Sequence, residues 1–330
     1  MVKRILVLLL LSISINVLAA QKINGAGATF PYPLYSKWFA EYSKEHKDVE
    51  FNYQSIGSGG GIKQVLAQTV DFGATDAPMS DEELKQAKTP IAHIPTVLGA
   101  VTVVYNVKGL ATGLKLDGET IASIFLGKVT KWNDASIAKL NPKAKLPATD
   151  ILVVRRSDGS GTTSIYSTFL SAVSAEFKEK VGAGKNVTWP AGVGAKGNEG
   201  VTALVSQTDG AIGYVELAYA NQNKLAFASV KNAKGEFVTP SVDSISKAAS
   251  NVKDASGDLR ISVINSDAKG AYPISSFTWI LLPTDEKSAP LKEVRSFLTW
   301  AMKDGQKMAA SLDYAPLPKK LAEAISKLVK

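Results

Sequence analysis

Between Thr29 and Ser80 the chain sets out a helix, a strand, a glycine loop, a second helix and a second strand, and few architectures accept that order. Tyr35, Trp38, Phe39 and Tyr42 fall at i, i+3, i+4 and i+7, so the spacing predicts a helix following the prolines of "TFPYP". "VEFNYQSI" (49–56) alternates apolar and polar residues as a half-buried strand does. "GSGGG" (57–61) reads as a loop, and Ile62, Val65, Leu66 and Val70 mark a second helix. "DFGATDA" then returns as a short strand ending near Asp76. Strands that alternate with helices in this way belong to α/β sheets.

The plan is repeated further on. "GIKQVLAQTVDFGATD" (61–76) is echoed by "GVTALVSQTDGAIGYVE" (200–216): a glycine, an apolar helical pattern, Gln-Thr, an aspartate and a glycine-containing strand. Chance similarity of amphipathic helices accounts for the echo as well as two lobes built on one plan do. Two long β-rich runs, "HIPTVLGAVTVVYNV" (93–107) and "AYPISSFTWILLP" (271–283), are placed to pass from one lobe to the other. On that reading residues 20–96 and 273–330 share one discontinuous lobe, residues 97–272 form the second, and the crossings near 95–97 and 272–275 serve as hinges. No low-complexity linker separates independent domains. Near the C-terminus, helical patterns over 291–312 and 318–329 flank the turn "DYAPLP" (313–318).

The first residues read differently. "MVKR" is a short basic region, "ILVLLLLSISINVL" an apolar one, and "VLA" ending at Ala19 has the small residues of a cleavage site, so residues 1–19 are expected to be a secretory signal peptide. The apolar run is shorter than the roughly 20 residues that span a bilayer. Removal takes Lys3 and Arg4, changing the net charge from +8 to about +6. The leader carries no cysteine for a lipid anchor, so a free periplasmic or secreted protein is expected. With no cysteine anywhere, disulfides, thiol nucleophiles and thiolate metal sites are excluded. The lysines are scattered, without a basic stripe interleaved with aromatics, which argues against a nucleic-acid partner.

Three Gly/Ser/Thr loops open helices: "GAGATFPYP" (25–33), "GSGGG" (57–61) and "SDGSGTTS" (157–164), the last just after Arg155 and Arg156. Free N–H groups and the positive dipole end of a helix suit an anion. None of the loops is a Walker-type or dinucleotide-binding sequence, and neither Ser58 nor Ser160 lies in Gly-x-Ser-x-Gly. The only histidines, His46 and His93, are isolated, which disfavours a serine triad and a zinc site. The chain has parts for holding an anion and few for turnover. Each residue also has a plain structural reading at this point: Thr29 and Ser58 as helix caps, Asp76 as a turn residue, Arg156 and Asp158 as a surface ion pair.

"GAGATFPYPLYSKW", "YQSIGSGGGIKQV", "TVDFGATDAPMS", "VVRRSDGSGTTS", "GAIGYVE" and "LDYAPLP" together resemble the periplasmic phosphate-binding proteins of high-affinity phosphate ABC transporters, over essentially the whole mature chain. The resemblance implies an α/β, two-lobe periplasmic binding protein fold of type II, each lobe a mixed, mainly parallel sheet flanked by helices, with the ligand in the cleft. It implies binding without catalysis, no cofactor and no metal. Its expected partners are inorganic phosphate and a membrane permease with a cytoplasmic ATPase, and the protein is expected to be a monomer. By motif it implies that the Thr29 hydroxyl, the Phe30 N–H, Ser58, Asp76, Arg156, Ser160, Gly161 and Thr162 contact phosphate, with Asp158 orienting Arg156. Ser157 departs from the alanine or other small residue usual at that place, and the segment between "APMS" and "IPTV" departs in length and composition. A carboxylate in an anion site makes sense for phosphate, which carries an O–H at neutral pH. Sulfate carries none, so Asp76 would accept from one ion and repel the other. Alternatives are a binder of another tetrahedral oxyanion, a secreted phosphatase or esterase using Ser58 or Ser160, and an adhesin.

Overall fold

The computed structural model describes residues 20–252, 257–284 and 287–329; the expected signal peptide lies outside them. Strands β1 (Gln21–Gly27), β2 (Val49–Ser55), β3 (Phe72–Thr75), β4 (Ile91–Asn106), β5 (Leu152–Arg156), β6 (Val193–Ala195), β7 (Ala211–Glu216) and β8 (Ser275–Pro283) join in one continuous path, β2-β1-β3-β8-β4-β7-β5-β6. Within β2-β1-β3 and within β7-β5-β6 the strands are parallel, while β8 and β4 pair antiparallel with their neighbours.

The long strand β4 holds the two parallel groups together. Residues 91–100 pair with β8, and from Val101 onward the partner is β7. The change falls between Ala100 and Val101. The register with β8 slips between Thr278 and Trp279, so that Thr96 is the extra residue of a bulge. A bulge bends its strand and raises the local twist. Here it sits within the first crossing read from the sequence, and Pro95 beside it is tolerated where the ladder is already interrupted.

The helices follow from their patterns, with three instructive differences. Helix α1 (Tyr32–Glu45) starts inside the prolines rather than after them, because Pro33 is tolerated in a first turn whose N–H groups have no intrahelical acceptor. It buries Tyr35, Trp38, Phe39 and Tyr42. Phe39 stacks on Phe51 of β2 with ring centroids 4.7 Å apart. Helix α2 (Ser58–Leu66) begins within the glycine loop and stops short of Val70, since Gln68 takes a left-handed φ of 57°. The periodicity over 291–312 is not one helix: Ala289–Trp300 gives way to a π-helical turn at Ala301–Gly305. The Trp38 indole N–H donates to the Gly305 carbonyl at 2.9 Å, drawing that turn onto α1. The echo in the sequence matches the element order. α2 and β3 recur as α3 (Gly197–Gln207) and β7, with Asp76 just after β3 and Glu216 at the end of β7.

Candidate functional site

In an open α/β sheet the crevice outside the carboxyl ends of the strands is where loops can gather around a ligand. The ends of β1, β2 and β3 lead to Thr29 and Phe30, to Ser58, and to Asp76; the ends of β5 and β6 lead to Arg156 with its helix, and to residues 197–198. All of the residues implied by the resemblance to contact phosphate are buried.

The two groups of loops meet directly. The Gly59 N–H donates to the Gly159 carbonyl at 2.8 Å. A Cβ on Gly161 would come within 2.4 Å of Ser58 Oγ and 2.6 Å of Asp76 Oδ2, so Gly161 lies against both. Gly57, at φ 85°, would meet Asp158 Oδ2 in the same way. At the edge, Lys185 Nζ pairs with Glu83 Oε2 at 2.8 Å, and the Lys185 carbonyl accepts the Ser160 N–H at 2.9 Å.

Arg156 is 3% exposed, which removes the reading of a surface ion pair. Its Nε and Nη2 donate to the two oxygens of Asp158 at 2.7 and 2.5 Å, and Nη1 reaches Thr162 Oγ1 at 3.4 Å. The bidentate pair fixes the guanidinium plane. Burial works against the Asp158 charge. The hydrogen bonds and charge of Arg156, with the Gly197 N–H, outweigh it and hold the carboxyl below the usual range. Arg155 is half-buried, and a Cβ on Gly194 of β6 would lie 3.1 Å from its Nη1.

Helix Gly161–Val173 points its amino end at the cleft. Ser160 caps it by accepting the Thr163 N–H at 3.0 Å. The first N–H groups of a helix have no intrahelical acceptor, and the macrodipole adds positive potential there. Ser58 is the first residue of α2, with Gly57 at the cap position, so its hydroxyl is not a cap. It accepts the Asp76 N–H at 3.1 Å and donates to Asp76 Oδ2 at 3.3 Å. Asp76 Oδ1 accepts from Thr278 at 2.8 Å. Burial pushes the Asp76 carboxyl up to about 7, against the pull of Thr278, Arg156 and Ser58.

The remaining candidates for catalysis are occupied elsewhere. His93 Nε2 accepts the Met79 N–H at 2.9 Å, and burial pushes its pKa down to about 4, so that nitrogen is committed to structure. His46 stacks on Tyr42. Among the described residues no group of three or more His, Asp or Glu is arranged to hold a metal ion, and no helix is long and apolar enough to cross a membrane.

A family model for the PBP superfamily domain matches residues 17–304. The chain is 48% identical over 307 residues to the phosphate-binding protein PstS of Xylella fastidiosa strain Temecula1, covering 92% of this chain and 84% of that one. It is also 48% identical to PstS of Pasteurella multocida, covering 93% and 89%. The chain belongs to the PstS family. Those PstS relatives are named as binding proteins, not as enzymes. Among solved structures, the phosphate-binding protein from Stenotrophomonas maltophilia superposes with a TM-score of 0.72 at 20% identity, covering 93% of each chain. It shares the two-lobe fold.

Several side chains of this PstS-family site escaped the sequence reading. Three tyrosines from separate elements tie back three consecutive carbonyls: Tyr53 donates to Ala28 O at 2.8 Å, Tyr219 to Thr29 O at 2.7 Å and Tyr314 to Phe30 O at 2.6 Å. Tyr314 lies in "LDYAPLP" and Tyr53 in "YQSIGSGGG", so the motifs contained them without revealing their task. Thr278 sits inside an apolar run and gave no local signal. Asn198 follows β6, a three-residue strand too short to be read from the sequence.

Proposed function

We propose that this protein binds inorganic phosphate in the periplasm, as a monomer, and delivers it to a membrane permease driven by a cytoplasmic ATPase. The observation that carries the reading is the pairing of opposite requirements in one buried cleft: a guanidinium and a helix amino end beside a carboxyl whose pKa is near neutrality. A desolvated anion is costly to bury unless its oxygens are hydrogen-bonded. Thr29, Ser160 and Thr162 supply hydroxyls, Ser58 supplies one whose proton turns from Asp76 to the ion, and the N–H groups of Phe30 and Gly161 supply fixed donors. Arg156 supplies charge, held in place by Asp158. The tied-back carbonyls of Ala28, Thr29 and Phe30 leave the N–H side of that loop for the ion.

Asp76 accepts the ion's own O–H, which phosphate has and sulfate lacks. Residues 20–96 and 273–330 form the first lobe and residues 97–272 the second, hinged at the two crossings, and closure brings Gly59 onto Gly159. The PstS relatives, at 48% identity, are named as phosphate-binding proteins, which supports the ligand. Titration calorimetry of ligand-free protein with phosphate and then with sulfate tests the reading. Tight phosphate binding with no sulfate heat is expected, and equal response to both ions would overturn it.

A further inference from the structure

Asn198 is completely buried and touches both halves of the cleft. Its side-chain amide has one orientation. The Glu216 backbone N–H, which can only donate, lies 3.0 Å from Oδ1, so Oδ1 accepts and Nδ2 faces the other way. Nδ2 then donates to Thr29 Oγ1 at 2.6 Å and to Thr162 Oγ1 at 3.2 Å. The Asn198 backbone N–H donates to the same Thr29 oxygen at 3.2 Å. Thr162 Oγ1 receives a second donor, Arg156 Nη1, at 3.4 Å.

A hydroxyl has two acceptor lone pairs and one proton. With two donors on each oxygen, the acceptor capacity of Thr29 and Thr162 is filled, and each retains only its proton to offer. From this we infer that Asn198 is a positioning residue that fixes both threonines as donors toward the cleft. The inference rests on the phosphate reading and deepens it. The cage then has no free hydroxyl lone pair at these two positions. A protonated oxygen of the ion finds no acceptor beside Thr29 or Thr162 and must turn to Asp76. Asn198 thereby sets the orientation of the bound ion without touching it. The anchor for its own orientation is Glu216 at the end of β7, opposite Val101, where β4 changes partner. The donor pattern is therefore tied to the joint between the halves.

The test is a double-mutant cycle read by titration calorimetry with inorganic phosphate, using Thr29→Val in two backgrounds. In the parent, Thr29→Val is expected to weaken binding by about 10-fold to 100-fold, the scale of one hydrogen bond to a charged group. Asn198→Asp keeps the shape and the contact with Glu216, but its second oxygen only accepts, so both threonine protons turn toward it. Phosphate binding is then expected to fall by about 100-fold or more, and Thr29→Val added to it to cost little further. Asn198→Ala provides the same cycle if the aspartate variant does not fold, with melting curves of each variant as the check. A merely structural role would lower the melting temperature and leave the Thr29→Val factor the same in both backgrounds, within about 2-fold. That result overturns the role of Asn198 while leaving phosphate binding intact. Parent protein that binds no phosphate overturns both.

Discussion

Asp158 holds Arg156 by both carboxylate oxygens and at the same time accepts the Gly197 N–H at 3.1 Å. One side chain therefore joins the cation delivered by β5 to the first residue of α3. The guanidinium is fixed from behind, and its Nη1 side is the one turned toward Thr162.

Arg156→Ala is expected to weaken phosphate binding by roughly 2–5 kcal/mol, because it removes a charge-assisted contact and leaves the half-buried Asp158 without its partner. Arg155→Ala is expected to cost much less, since consecutive strand residues face opposite ways. Calorimetry on both variants checks the assignment, and equal losses would refute it.

Asp76→Asn removes a charge and nearly preserves the shape. The amide oxygen still accepts from phosphate, while its NH2 donates to a fully ionised oxygen. Phosphate affinity should change modestly, and sulfate binding should strengthen by about 1–3 kcal/mol. Competition between labelled phosphate and sulfate at constant ionic strength measures this. A variant that rejects sulfate as firmly as the parent would shift selectivity onto the donor cage.

The raised pKa of Asp76 has a signature without any ligand. The ordinary carboxyl pKa, near 4, applies to the unfolded chain, and the folded value is about 7. Between those values the folded state binds more protons, so this group's contribution to stability is complete below about 4 and is lost as pH rises through 7. The melting temperature of ligand-free protein, compared with that of Asp76→Asn, should show a decline over this range that the variant lacks. Parallel curves would place the group outside the protected cleft.

Lys185 and Glu83 pair between the two groups of loops at the edge of the cleft, with a fifth and a quarter of their side chains exposed. Pairs this accessible contribute about 0–1 kcal/mol. Lys185→Ala is expected to speed phosphate release by up to about 5-fold with little change in association. Stopped-flow release into a phosphate trap reads it, and an unchanged release rate would remove the pair from the closing contact.

The α/β grammar was legible because Tyr35, Trp38, Phe39 and Tyr42 keep helical spacing and 49–56 alternates, so the tertiary packing agrees with the local pattern. The motif loops were legible because an anion cradle needs small residues and hydroxyls in short stretches. Asn198 and Thr278 were not. Their importance comes from contacts to residues 169 and 202 positions away, Thr29 and Asp76, and nothing in their own neighbourhood encodes that distance. The break at Ala301–Gly305 was hidden too, and the contact that meets it, from Trp38, comes from 267 positions away.

The bond from Gly59 to Gly159 makes one seam between the two groups of loops out of main chain. Peptide units have no rotamers, so this seam cannot swing aside as a pair of side chains would. For the proposed ligand the result is a test of substitution as well as of charge. A bare tetrahedral ion leaves the seam shut. An organic ester carries a carbon chain on one oxygen, and a chain directed to this side would run into backbone. The free ion is therefore expected to bind in preference to a phosphomonoester.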